Sequence, residues 1–449
     1  MNSMSDTPLL RVKSVNVQKL FGLYDHTIPL RLDERVTIIH GPNGVGKTVV
    51  LKLLAALFAG RLHEFGRVPF ERFQVELTDG TMFTIEPDLE KQARVQLTVS
   101  VPGQPPRTTS VGARFSPVDV IYRGTASREL LDARIASLPS ALRYFDSRLD
   151  ATKLEESDHL DALIEKVRRS VEPEEPDWFP QLRKQVNVHI IETQRLLRHV
   201  PSDSDGSVRG TMSMVPTVSD YAKDLQRRVT EALARYASVS QALDQSFPRR
   251  LLRAQTPALS IADIKARMTA LDEKRANLKS IGLLDDTAAY PFDIASLDEL
   301  EPTERSVMTL YVHDTSQKLG ELDDLLRRIE LLRDNVNNKF RHKSIKFDRE
   351  NGFTAMGSDG RPLDLNSLSS GEQHELVLLY DLLFRVQPNT LVLIDEPELS
   401  LHVRWQKRFL PDLLEIVDTA RFDALVATHS PFIVGSHHNL MVPLSSEDE

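Results

Sequence analysis

Gly41-Pro42-Asn43-Gly44-Val45-Gly46-Lys47-Thr48 gathers three glycines, an ammonium and a hydroxyl in one short segment. Glycines at those positions let the backbone curl until several N–H groups and a helix N-terminus face an anion, because side chains there would block the approach. Lys47 supplies a point charge for the β- and γ-phosphates of a nucleotide, and the Thr48 hydroxyl is placed to ligate Mg²⁺. Far downstream, Leu391-Val392-Leu393-Ile394 runs into Asp395-Glu396-Pro397. An acid pair ending a buried parallel strand lies where an open α/β sheet binds its ligand. Asp395 is the second candidate for holding Mg²⁺, and Glu396 is the natural general base for an attacking water. A third segment, Leu368-Ser369-Ser370-Gly371-Glu372-Gln373, introduces a helix from Glu372 to Phe384 that Ser369 or Ser370 caps. A capped helix start attracts anions, so Ser369 and the Gly371 amide are placed to grip a γ-phosphate, with Ser370 and Glu372 in the same nucleotide-binding stretch. The three segments together read as a split ATP site.

The elements needed to position these residues are legible beside them. Val36-Thr37-Ile38-Ile39 is a short apolar strand leading into the glycine loop, and Val49 to Phe58 is an apolar stretch suited to a buried helix. Val426-Ala427-Thr428 is a further apolar strand, followed by His429 and Ser430. Around the glycine loop, strands are expected over Leu9–Val17, Thr27–Leu30, Phe73–Thr78 and Val95–Val101, alternating with turns such as Asp79-Gly80. Helical patterning follows from Ser127 to Val171, broken by Pro173 and Pro176. The strand Val188 to Gln194 then returns, and a polar loop over Ser202–Ser207 comes next. Helices are expected over Ser219–Ser246, Ile261–Lys279 and Thr303–Asn338, separated by Pro248, Pro257, Pro291 and Pro302. In the last of these, Leu319, Leu322, Leu326, Ile329 and Leu332 make one apolar face. Lys343–Asp348 and Gly352–Met356 form a hairpin ahead of the serine-glycine segment.

On these motifs the chain resembles an ABC-type ATPase head. The resemblance implies a serine-glycine signature that closes over ATP held by the glycine loop of a second subunit, so the active unit is a homo-oligomer through a head-to-head ATP sandwich. It also implies a loop between the two sites at Glu398-Leu399-Ser400-Leu401-His402, and a switch histidine, His429, against the γ-phosphate. Lys47, Glu396 and His429 are thereby the catalytic candidates; Thr48, Asp395 and a Q-loop glutamine are the metal candidates. Gln194 is preferred for that glutamine over Gln74, which lies in an alternating, hairpin-like strand and decorates its polar face. Val49 stands where many such loops carry a second hydroxyl, and slow turnover with ATP as a clamp is compatible with the motifs. Because 324 positions separate Lys47 from Gly371, the pattern is similar to the SMC, RecF and OLD group, and most similar to stand-alone ATPases of bacterial anti-phage systems such as Septu, PARIS and retron-associated modules.

The expected fold class is therefore α/β: a P-loop ATPase head with a mixed sheet, an antiparallel β flank and an inserted, short coiled-coil-like helical arm. Its parts are a head over 1–125, a helical insertion over 126–185, a head strand over 186–200, the arm over 201–339 and the rest of the head over 340–449. The absence of cysteine excludes disulfides and cysteine-ligated zinc, including a zinc hook. Neither a signal peptide nor a membrane span is expected, which places the protein in the cytoplasm without a membrane partner. A net charge of -9 argues against a globally basic nucleic-acid binder. Locally, Ser219 to Ser280 carries 12 Lys and Arg against 7 Asp and Glu, with Arg249, Arg250 and Arg253 clustered, and Lys339, Arg341, Lys343 and Lys346 form a second basic stretch. DNA contact through the arm is one reading of these residues, and a solvated helical face is the simpler one. No Toprim or His-Asn-His nuclease is expected after His429, so any destructive activity would come from a separate effector protein, a nuclease or toxin. The function expected is an ATP-hydrolysing sensor or scaffold of an anti-phage system; the alternative is a RecF-like DNA clamp in repair or chromosome maintenance.

Overall fold

The computed structural model describes residues 10–88, 94–112, 176–191, 197–201, 212–253, 258–284, 297 and 301–444. Gln194, most of the 126–185 insertion and the Ser202–Ser207 loop lie outside them.

Strands β1 (Val12–Leu20), β2 (Tyr24–Pro29), β4 (Arg72–Leu77), β5 (Met82–Pro87), β6 (Arg94–Ser100) and β7 (Arg107–Gly112) form an antiparallel sheet in the order β2-β1-β4-β5-β6-β7. Strands β3 (Val36–His40), β8 (Val188–Ile191), β14 (Leu391–Asp395), β15 (Asp423–Thr428) and β16 (Met441–Pro443) form a second sheet, β16-β3-β15-β14-β8, in which every pairing is parallel. Its strands read as continuous apolar runs because both faces are covered. Their alternation divides two cores: Ile39, Leu391, Leu393, Leu425 and Ala427 pack on one side, and Ile38, Val392, Ile394, Ala424 and Val426 on the other. Helix α1 (Lys47–Ala59) fills the first core between the two sheets, burying Val50, Leu51, Leu53, Leu54 and Leu57.

The second core joins the parallel sheet to the helical half of the chain. A short helix α2 (Phe179–Arg183) precedes β8, and strands β9 (Leu197–Pro201) and β10 (Met212–Pro216) pair antiparallel before the arm. The arm comprises α3 (Thr217–Leu252), α4 (Ile261–Ser280), α5 (Pro302–Gly320) and α6 (Asp323–Lys339). A hairpin, β11 (Lys343–Asp348) and β12 (Gly352–Gly357), with the short β13 (Pro362–Leu363), then leads into α7 (Ser370–Tyr380), whose last residues widen into a π-helical turn over Asp381–Arg385. Helix α8 (Val403–Ala420) follows the acid pair, and α9 (Pro431–Val434) follows His429. Gly352 sits at φ 73 where the hairpin meets α3, and a Cβ there would lie 2.1 Å from the Ala222 carbonyl oxygen; only glycine lets the two approach.

The α/β head, the antiparallel flank and the helical arm agree with expectation; two helix boundaries do not. Pro248 lies inside α3, which runs 36 residues and spans about 54 Å at 1.5 Å per residue. A proline removes one helical N–H, here the one that would meet the Asp244 carbonyl; in the turn before it Ser246 Oγ reaches Ala242 O at 2.9 Å and Arg250 Nη2 reaches Leu243 O at 2.9 Å. The single helix expected over Thr303–Asn338 is two, α5 and α6, joined by a turn at Glu321–Leu322. The apolar spacing runs through the break because Leu319, Leu322, Leu326, Ile329 and Leu332 are all buried in the same core.

Candidate functional site

Strands β3, β15 and β14 are neighbours, so the segments that follow them converge at one edge of the parallel sheet. The glycine loop leaves β3 and enters α1 through Gly46, which adopts φ 94. A Cβ on Gly46 would lie 2.3 Å from Leu20 Cδ2, so the loop packs against β1 closely enough to require glycine. Gly44 is also left-handed, at φ 93, while Pro42, Asn43 and Gly44 are exposed and Gly41 and Val45 are buried. His26 of β2, itself buried, lies with Nε2 2.7 Å from the Val45 carbonyl oxygen and supports the loop from beneath.

Lys47 is 5% exposed and donates to the Gly41 and Pro42 carbonyls at 2.7 and 2.8 Å. Burial pulls its ammonium below its ordinary pKa, while Glu396, Glu398 and Asp395 pull it back up. The Thr48 hydroxyl donates to Asp395 Oδ1 at 2.9 Å, so the two metal candidates from opposite ends of the sequence meet. Burial raises the Asp395 pKa, and the Thr48 hydrogen bond opposes that shift. An exposed glycine loop, an ammonium held at its base by loop carbonyls, and a hydroxyl–carboxylate pair of hard oxygen donors fit a nucleotide triphosphate with Mg²⁺.

Glu396 sits at the end of β14 in the left-handed region, φ 43, with its N–H donating to the Ala427 carbonyl of β15 at 2.9 Å. Positive φ on a residue with a side chain is costly, and such strain persists where the surroundings impose it, often at functional sites. His429 Nδ1 lies 3.8 Å from Glu396 Oε1 and 3.0 Å from Glu398 Oε1. Glu398, read in the sequence only as part of a connecting loop, is thus a component of the site. Nothing in local spacing marks it; its role depends on the β14–β15 adjacency.

Ser369 caps α7 in a reciprocal box, its hydroxyl accepting from the Glu372 N–H while Glu372 accepts from the Ser369 N–H at 2.7 Å. Ser370 is the first residue of the helix and Gly371 lies in its first turn. Glu372 is further paired with Lys343 at 2.9 Å. None of the bonds described for Ser369, Ser370 or Glu372 reaches residues 41–48. Gln74 lies in β4 with Nε2 donating to Thr84 Oγ1 at 3.3 Å, the polar-face role expected of it. Two of the basic residues considered for DNA are structural: Arg250 grips Asp314 with two hydrogen bonds of 2.5 and 2.6 Å, and Lys339 is buried against Glu375 and Asp412.

A glycine loop with lysine and threonine after β3, a carboxylate pair at the end of β14 and a histidine just after β15, the strand between them, have the make-up of a P-loop ATPase site. The chain belongs to the AAA-domain family described as putative AbiEii toxin, type IV TA system, which it matches over residues 36–435. A segment of 114 residues is 33% identical to protein ea59 of Escherichia phage lambda and covers 25% of this chain and 20% of that protein. Among solved structures, the chain is similar to the Smc head domain of Pyrococcus furiosus with an extended coiled coil, bound to the C-terminal domain of ScpA, at 11% identity and a TM-score of 0.33, covering 98% of this chain and 94% of that one. The SMC head domain of Thermotoga maritima gives 11% identity and a TM-score of 0.31, with 94% and 91% covered. The family match over residues 36–435, and not these structures, carries the assignment. No described helix is long and apolar enough to cross a membrane.

Proposed function

We propose that this chain binds and hydrolyses ATP with Mg²⁺, pairs with a second copy around the nucleotide, and uses that cycle to control a separate effector protein in a defence system. The observation that carries the ATPase reading is the Thr48–Asp395 hydrogen bond of 2.9 Å beside Glu396, at the mouth of the glycine loop. Lys47 and the loop amides would hold the β- and γ-phosphates, Thr48 and Asp395 would hold the metal, and Glu396 would accept the proton of the attacking water. Bound Mg²⁺ would neutralise developing phosphate charge. Gln194 is proposed as a further metal contact.

Pairing of two copies would let the Ser369–Glu372 segment, none of whose described bonds ties it to residues 41–48 of its own chain, meet a nucleotide held by the glycine loop of the other. Exposed apolar side chains beside the site, Leu399 at 63% and Phe432 at 46%, supply a face for such contact. The family's description as a putative toxin of a toxin–antitoxin system supports the defence reading. For DNA binding, exposed Arg249 and Arg253 in the arm, with Arg341 and Lys346 just beyond it, are the remaining carriers.

The test is affinity purification of Glu396→Gln in ATP, expressed with its native neighbouring genes, with mass determination of what stays bound. A stoichiometric second protein is expected. Nucleic acid alone would overturn the effector reading in favour of a DNA clamp.

A further inference from the structure

Glu398 is two residues beyond the proposed general base, yet its carboxylate turns away from solvent, with only 5% of the side chain exposed. One oxygen, Oε1, collects the end of β15: it accepts from Thr428 Oγ1 at 2.6 Å, from the His429 N–H at 2.9 Å and from the Ser430 N–H at 3.2 Å. The same oxygen lies 3.0 Å from His429 Nδ1. The surrounding contacts hold Glu398 in turn. Gln406 Nε2 of α8 donates to the Glu398 carbonyl at 3.3 Å, and Ser430 Oγ donates to Gln406 Oε1 at 3.0 Å. The loop after the acid pair and the loop bearing His429 are therefore tied by one buried carboxylate.

A buried carboxylate without partners would be costly, and three donors converging on one oxygen fix the backbone on either side of His429. An anionic oxygen 3.0 Å from a ring nitrogen also dictates where the ring's proton sits. A deprotonated Nδ1 would set a lone pair against the carboxylate, whereas a protonated one is attracted to it. We propose that Glu398 is the positioning residue for His429: it anchors the Thr428–Ser430 loop and holds the proton on Nδ1, leaving Nε2 as the ring atom free to meet the nucleotide. Glu398 touches neither nucleotide nor water in this role; it acts through the histidine.

This inference rests on the ATPase reading for its kinetic arm, and the spectroscopic arm stands apart from it. The ring resonances of His429 are read in the ligand-free protein labelled with ¹⁵N-histidine, assigned by their loss in His429→Ala. Nδ1 carries the proton in the wild type; an unprotonated Nδ1 would overturn the proposal whether or not ATP is hydrolysed. In turnover, Glu398→Ala lowers kcat by on the order of 100-fold, as for a misplaced catalytic group, with affinity for a fluorescent ATP analogue unchanged. Glu398→Gln, which keeps an acceptor oxygen but not the charge, recovers only part of that loss. Should Glu398→Ala fail to fold, as thermal unfolding would report, Glu398→Gln is compared in the wild-type and His429→Ala backgrounds. Its effect disappears when His429 is absent. An equal loss in both backgrounds would show that Glu398 does not act through His429 and would overturn the proposal. Absence of any ATP hydrolysis by the wild type would sink the ATPase reading instead, with the ring spectrum still deciding the placement of His429.

Discussion

Thr48 and Asp395 are separated by almost the whole head in sequence, yet their side chains share a hydrogen bond of 2.9 Å. The burial of Asp395 has a cost that can be read in pH. Burial raises the Asp395 pKa above its ordinary value of 3.8, so the folded protein binds that proton more readily than the unfolded chain. The unfolded state then holds fewer protons on this group than the native state, and stability contributed at low pH is lost as pH rises through the interval above 3.8. Asp395→Asn removes the ionisation and keeps an acceptor for Thr48. The expected outcome is a neutral-pH urea midpoint at or above that of the wild type together with loss of Mg²⁺-dependent hydrolysis. A lower midpoint with hydrolysis intact would show that Asp395 is structural. At this scale the sequence was informative where chemistry is local: the glycine loop, Lys47, Thr48, Asp395 and Glu396 are each marked by their immediate neighbours. Glu398 was not, because its function depends on which strand β14 pairs with, and that is a property of topology.

Between elements, the most consequential contact is made by a residue read from sequence as part of a basic surface stretch. Lys339, the last residue of α6, is 7% exposed at its side chain and lies between Glu375 of α7 and Asp412 of α8, the latter at 2.7 Å. Burial alone would lower its ammonium pKa, but the two carboxylates outweigh burial and hold it above the ordinary 10.5. The arm is thereby joined to the helix that carries the signature and to the helix that follows the acid pair. Replacing the cation leaves the buried Glu375 carboxylate without its cation and Asp412 with Arg408 alone, at 3.2 Å, so Lys339→Met is expected to cost roughly 3–5 kcal/mol in urea unfolding. The sign with pH is that of a raised basic group: the stability is present below about pH 10.5 and lost as pH climbs through the folded-state pKa. A triple variant, Lys339→Met with Glu375→Gln and Asp412→Asn, should recover much of the loss and show no such alkaline step. A basic run in sequence carries no information about which of its members faces inward. Breakers mislead as well, since α3 continues through Pro248 for four further residues. The split between α5 and α6 was partly legible, because Gly320 followed by Glu321, Asp323 and Asp324 is a stop-and-start signal that the continuous apolar stripe hid.

At the scale of the whole molecule, the parallel sheet, α1 and the antiparallel flank bring the glycine loop, Asp395, Glu396 and His429 to a single edge, while Ser369 sits at the start of α7 with its cap closed by Glu372. On the proposed reading, such a chain holds ATP by itself and completes the reaction only with a second copy. Ser369→Arg is therefore expected to bind a fluorescent ATP analogue as the wild type does and to fail in both ATP-dependent pairing and turnover. The cap is lost as well, at a cost of about 1 kcal/mol, which thermal unfolding separates from the effect on pairing. Lys47→Ala should fail in the complementary way, losing nucleotide binding while keeping an intact signature. Mixed, the two variants can form one composite site in which the glycine loop of the Ser369→Arg chain faces the unaltered signature of the Lys47→Ala chain. Turnover in the mixture should then return toward half of the wild-type value per pair, provided one loaded site is enough to close the dimer. Light scattering in ATP follows the pairing directly. Recovery of neither pairing nor hydrolysis, with both variants folded, would mean that Ser369 serves its own chain and that the arm and head work as a monomer.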